Sequence, residues 1–130
     1  MSLANLFPIG FIPIQNVEAA RDFYENTLGL SFQSDDQFAI VFRLGPIRGL
    51  ILRLVRMPQF TPVPYTIFGW EVPDLPRIVD DLTEKGVSFL RFKGMEQDER
   101  AIWHSPSGAR VAWFHDPDGN TLSLSQHPSA

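Results

Sequence analysis

The chain contains no cysteine, which excludes disulfides, thiolate metal ligands and a cysteine nucleophile. Positive charge is also scarce. With 11 Lys and Arg against 15 Asp and Glu, the formal net charge is -4 and the pI is near 5.2. That balance argues against nucleic acid, whose binders carry a basic stripe to displace counterions. No apolar run approaches the roughly 18–20 residues that span a bilayer. No charged segment followed by an apolar one marks a secretory leader. A cytoplasmic protein with no nucleic-acid partner and no membrane partner is therefore expected. Pro and Gly, 11 and 9 residues, are too few for a low-complexity chain. Histidine is rare as well, and His104, His115 and His127 all fall in the last third. What is present is 130 residues, 44% of them hydrophobic, the length of one domain.

The sequence repeats itself once. Residues 9–30 read as an apolar stretch, then Gln15-Asn16, then a helical pattern ending at Gly29. Residues 67–87 read as an apolar stretch, then Pro73-Asp74, then a helical pattern ending at Gly86. Asn16 and Asp74 lie 58 positions apart and Gly29 and Gly86 lie 57 apart, so one residue is gained or lost within the helix. Each half continues with Ser-Phe, at Ser31-Phe32 and Ser88-Phe89. Asn16 and Asp74 are N-cap residues whose side chains accept orphaned N–H groups. Val17, Ala20, Phe23, Tyr24, Thr27 and Leu28 share one helical face; Leu75, Ile78, Val79 and Leu82 share another. Pro76 sits in a first turn, where its missing N–H costs little. Gly29 and Gly86 suit the left-handed position that stops a helix.

Strand signals follow each helix. In the first half they cover residues 31–34, 38–44 and 50–55, with Gly45-Pro46-Ile47-Arg48-Gly49 as a turn. In the second half they cover residues 88–92, 101–104, 110–115 and 121–125. Ser105-Pro106-Ser107-Gly108 and Asp116-Pro117-Asp118-Gly119 are the turns there. Residues 58–65 contain Pro58, Pro62 and Pro64 and read as an extended connector. The expected organisation is a single α+β domain over 1–130, with a first βαβββ module at 7–57 and a second at 66–127. Each helix covers one sheet face. The other faces, curved by sheet twist, are expected to form a trough, the natural place for a ligand.

The segment Asn16-Val17-Glu18-Ala19-Ala20-Arg21-Asp22-Phe23-Tyr24, followed by Leu28-Gly29-Leu30, resembles the first helix of the glyoxalase/bleomycin-resistance/dioxygenase superfamily, the vicinal oxygen chelate proteins. Phe114-His115-Asp116-Pro117-Asp118-Gly119-Asn120 resembles its second-module turn signature, and Ile12-Pro13-Ile14 is similar to the bleomycin-resistance branch. The resemblance implies paired βαβββ modules forming a cup with a mixed sheet, usually in a homodimer. It also implies a divalent metal held by two His and two carboxylate or similar residues. The positions that correspond are Ile9, Arg53, Ile67 and Ser123. Two are apolar, one is a neutral hydroxyl, and the guanidinium would repel a dication. No metal ligand and no cofactor are therefore expected. His104 and His115, facing each other across the 105–108 hairpin, are an alternative metal pair; ordinary surface histidines are the plainer reading.

Alternation assigns the faces. Leu52, Leu54, Leu122 and Leu124 should face the helices, with Phe68, Trp70 and Val72 in the core. Ile51, Arg53, Val55, Thr121, Ser123 and Ser125 should line the trough, joined by Ile9, Phe11, Pro13, Ile67, Gly69 and Glu71. Arg53 then either grips a ligand carboxylate or phosphate, pairs with Glu71, or sits at an open mouth. Trp103 and Trp113 either stack on a flat ligand or serve burial or a dimer interface. The candidate ligand-binding set is Arg53, Ser123, Phe11, Ile9, Ile67, Glu71, Trp103 and Trp113. Two functions stay open: a metal-independent binder of an unidentified small organic molecule, or an enzyme of the same superfamily. The enzyme would be a lyase, isomerase or ring-cleaving dioxygenase with an atypical metal site or none.

Overall fold

The computed structural model describes residues 2–128, and the chain divides into two compact units, Met1–Thr61 and Pro62–Ala130. The outermost positions of the expected 1–130 span, residues 1, 129 and 130, lie outside the described residues. The division falls within the proline-bearing stretch 58–65.

The first unit runs β1 (Ile9–Ile14), α1 (Val17–Asp22), a π-helical turn (Phe23–Thr27), β2 (Ser31–Asp35), β3 (Ala39–Leu44) and β4 (Leu50–Arg56). Its sheet has the order β1-β4-β3-β2, with β1 parallel to β4 and the other pairs antiparallel. Asn16 starts α1 by accepting the Ala19 N–H at 3.1 Å. The π turn accounts for the unequal spacing of the two halves. The first helix has one residue more between cap and glycine, and the backbone absorbs it as an i→i−5 bond, Leu28 N–H to the Phe23 carbonyl at 2.8 Å. Tyr24 is thereby fully buried against Phe42, with ring centroids 6.4 Å apart. Ile12, Ile14, Ile40, Leu52 and Leu54 complete this core, each fully buried side chain contributing roughly 1.5–3 kcal/mol. Arg21 closes its rim, the guanidinium lying 3.7 Å over the Phe32 ring.

The second unit runs β5 (Thr66–Glu71), α2 (Leu75–Glu84), β6 (Trp103–His104), β7 (Arg110–His115) and β8 (Thr121–Gln126). The order β5-β8-β7-β6, with β5 parallel to β8, repeats that of the first sheet. Asp74 caps α2, and its buried Leu75, Val79 and Leu82 face β7 and β8. Gly86 ends the helical segment at φ 96°.

One expected element is absent. Residues 88–92 form no strand; they contribute a single bridge, Phe89 to Phe114, and one bond from Leu90 N–H to the Trp113 carbonyl at 2.8 Å. The expected strand at 101–104 shortens to Trp103–His104, paired with Val111 and Arg110. The outer edge of β7 is thus shared by two short pieces, one at each end. The intervening residues fold around one amide side chain. Gln97 accepts from Phe92 N–H and donates to the carbonyls of Leu90 and Ala101, each at 2.8 Å. A side chain replaces the ladder, and alternation in the sequence carries no sign of that.

The Asp116 turn is held the same way. Its carboxylate, 4% exposed, accepts from the Asp118 and Asn120 backbones at 3.0 and 2.9 Å and from the Asn120 side chain at 2.9 Å. Asp116→Ala strands these donors, two of them on a residue only 2% exposed. Chemical denaturation should show a loss of about 2–3 kcal/mol; a change within about 0.5 kcal/mol, the range of an ordinary surface substitution, would contradict this account of the turn.

Candidate functional site

Each sheet has a helix on one face only, and the candidate residues lie on the other. In the first unit, register aligns Phe11, Arg53 and Val41 across β1, β4 and β3, with Ile9 beside Ile51 one row away. Ile9 and Phe11 are exposed while Val41 is buried. Arg53, with 28% of its side chain exposed, reaches Asp36 at 2.9 Å. The other Asp36 oxygen accepts the Phe38 and Ala39 N–H groups at 3.0 and 2.8 Å. Beside it, Arg56 grips Asp35 through two bonds of 2.8 and 2.7 Å. Arg53 therefore does not pair with Glu71, one of the partners considered from the sequence. Asp36 takes that role because it lies in the tight connection from β2 to β3, and β3 runs directly beside β4. The adjacent acids Asp35-Asp36 opposite Arg53 and Arg56 were the available signal.

In the second unit, Gly69, Ser123 and Trp113 align across β5, β8 and β7, and Glu71, Ser125, Val111 and Trp103 form the next row. A Cβ on Gly69 would stand 2.6 Å from the Ser123 carbonyl oxygen. Only glycine permits this approach, and Ser123 and Thr121 are buried. Trp103 and Trp113 lie 6.3 Å apart, and Phe92 meets Trp113 edge-on at 5.3 Å. Phe92, delivered by the Gln97-braced segment, was not foreseen from the sequence. Ile67 falls where the β5–β8 register shifts. Glu71 is taken by His127, through the backbone N–H at 2.7 Å and ring Nδ1 at 2.6 Å. His104 and His115 do not meet across the hairpin: they occupy opposite ends of the β7 pairing, His104 beside Arg110 and His115 beside Thr121. His104 instead meets Asp98 at 3.1 Å.

These pairings set the electrostatics. The Arg56 fork and the Gln37 N–H pull the Asp35 carboxyl down to about 2. The Ala39 N–H and then Arg53 hold Asp36 below the usual carboxylate range. The His127 backbone and ring do the same for Glu71. Arg53 and Glu71 thus have partners within the protein, whereas Arg43, in the row of Ile51 on the same open face, bonds the neutral Gln33 side chain at 2.6 Å and the Arg48 carbonyl at 3.4 Å.

The positions at which the family resemblance would place metal ligands are Ile9 and Arg53 in the first unit and Ile67 and Ser123 in the second. Two lack a donor atom, one is a cation already bound to a carboxylate, and one offers a neutral, buried hydroxyl. This set does not fit the metal. Among the described residues no group of three or more His, Asp or Glu side chains is placed to hold one elsewhere.

Comparison with known proteins follows the fold. The family model described as Glyoxalase/Bleomycin resistance protein/Dioxygenase superfamily matches residues 6–124. No curated protein sequence matches the chain. Among solved structures, the chain is similar to a member of that superfamily from Sphaerobacter thermophilus DSM 20745, with 26% identity, TM-score 0.76, and coverage of 97% of this chain and 100% of that one. It is similar to TnmS3, an antibiotic binding protein from Streptomyces sp. CB03234, with 24% identity, TM-score 0.73, and coverage of 98% and 99%. A glyoxalase family protein from Bacillus anthracis matches at 14% identity, TM-score 0.73, and coverage of 98% of both chains.

The acidic corner makes a pH prediction. A depressed folded-state value means the stabilisation is complete above the unfolded value, 3.8, and is lost as pH falls through about 2. Melting temperature should therefore decline between those limits. Asp35→Asn should lower it at neutral pH and flatten the acid slope; a slope identical to that of the parent protein would show that Asp35 contributes nothing.

Proposed function

The chain belongs to the Glyoxalase/Bleomycin resistance protein/Dioxygenase superfamily, and within it we propose a binder of small organic molecules that works without the family's metal. The observation that carries this reading is the aromatic surface on the second unit. Trp103, Trp113 and Phe92 stand together on the sheet face opposite α2, beside Gly69 and Ser123. Phe92 and the two tryptophans are only partly buried, so ring surface remains for a flat ligand to cover. Ile9, Phe11 and Arg53, with Arg43 one row away, give the first unit an apolar face bordered by guanidinium groups, and Ile67, Glu71 and Ser123 extend the second. That apolar character with few polar groups is what organic-ligand sites share.

The charge state narrows the ligand. Asp36 already neutralises Arg53, and His127 already partners Glu71. An anion would have to displace Asp36 to reach Arg53, so the surface favours a neutral, planar molecule with donors and acceptors at its edge. TnmS3, which shares this fold, is an antibiotic binding protein, and this reading gives the present chain a comparable role. The same reading places the protein in the cytoplasm as a homodimer. Supporting the second point, β1 is an edge strand of its sheet and carries exposed Ile9 and Phe11.

Tryptophan fluorescence of the purified chain, screened against planar organic compounds after EDTA treatment, tests the proposal. A saturable change is expected, and Trp113→Ala should weaken binding about tenfold or more, since aromatic contacts contribute roughly 0.5–1.5 kcal/mol beyond the area they bury. Compounds that bind equally well to Trp113→Ala would refute this location. Binding that needs added metal would refute the mode.

A further inference from the structure

A second cleft lies away from these faces, on the helix side of the second sheet. It has a volume of 330 Å³ and runs between α2 and the segment 91–102. Val79, Val87 and Phe89 line it with hydrocarbon, and Thr83, Arg91 and Arg100 border it. Phe89 is anchored against Phe114 with centroids 5.6 Å apart.

The walls are fixed in place. Arg100 bonds Asp80 of α2 through two contacts of 2.9 and 3.1 Å, tying the segment to the helix. Asp98 accepts the Arg100 and Ile102 N–H groups at 2.9 and 3.0 Å. Between those two residues Ala101 is buried and held at φ 65°, a left-handed conformation that alanine avoids. Such strain persists only where the surroundings over-determine it, and here Gln97, Asp98 and Arg100 do so.

The charges on the rim are unequal. Arg100 has its carboxylate. Arg91 does not: it donates to the neutral Asp98 carbonyl at 2.8 Å, and among the described residues no carboxylate comes within 4.0 Å of it. A guanidinium has five N–H donors in a planar fork, and this one makes a single hydrogen bond beside an apolar hollow. We propose that the cleft binds a small amphiphilic carboxylate, its head on Arg91 and its hydrocarbon tail over Val79, Val87 and Phe89. A phosphate dianion fits less well, because Asp80 and Glu99 also line the cleft and repel a second negative charge. The site is independent of the sheet-face reading, since it shares no residue with it.

Hexanoate is a suitable probe, titrated at constant ionic strength and followed by backbone amide NMR, with hexanamide as the uncharged control. Saturable shifts are expected at Val79, Thr83, Val87 and Arg91, and hexanamide should bind about tenfold more weakly or worse, as expected for loss of a charged hydrogen bond. Arg91→Gln should match that loss. Thr83→Trp, which fills the cleft from the exposed side of α2 and leaves every charge in place, should abolish the shifts, and it decides the matter if Arg91→Gln loosens the segment. Unchanged affinity in Thr83→Trp, equal binding of hexanamide, or shifts centred on Trp113 or Arg53 would overturn the proposal. The affinity for planar compounds reads the other site and should not change in either variant.

Discussion

A four-stranded sheet has two faces, and one short helix can cover only one of them. Nearly everything in this protein follows from that constraint. Alternation sends Ile12, Ile14, Leu52 and Leu54 to the covered side of the first sheet and Leu122, Leu124, Ala112 and Phe114 to that of the second, where all are buried. The residues between them have no helix to pack on. In an ordinary surface sheet they would be polar. Here they are Ile9, Phe11, Ile51 and Val55 in one unit and Ile67, Val111, Trp103 and Trp113 in the other. Apolar and aromatic side chains left uncovered in register are the physical basis for reading these faces as binding surfaces.

The polar residues on the same faces are already satisfied. Arg53 lies against Asp36, and Glu71 holds both the backbone and the ring of His127. Pairing keeps a half-buried guanidinium from standing uncompensated. At the positions where the resemblance would place metal ligands, Ile9, Arg53, Ile67 and Ser123 present hydrocarbon, a cation and a hydroxyl, a set that does not fit a divalent ion.

Much of this was legible in the sequence because it is periodic. The caps Asn16 and Asp74, the stop at Gly86 and the alternation of β1, β4 and β8 each depend on a few neighbouring residues, and each forms as expected. The unequal length of the two helices was legible as a count; that it becomes a π turn was not, because spacing says nothing about which hydrogen bond stretches. The strand expected at 88–92 failed for a different reason. Its Phe92 N–H and Leu90 carbonyl go to the Gln97 amide, and a side chain substituting for a strand leaves no periodic trace. Pairing was the least legible feature. The partners of Arg53 and Glu71 come from a turn at Asp36 and from His127 after β8, positions that alternation does not reach.

The central claim is that this superfamily scaffold holds organic molecules on uncovered sheet faces without an inorganic centre. The most direct measurement is elemental analysis of the chain after dialysis against Fe, Ni, Zn or Mn in turn, coupled to a ligand screen by melting temperature before and after EDTA. The account predicts far less than about one ion per chain and ligand-induced rises in melting temperature that survive the chelator. About one tightly held ion per chain, or rises that vanish when it is removed, would contradict it.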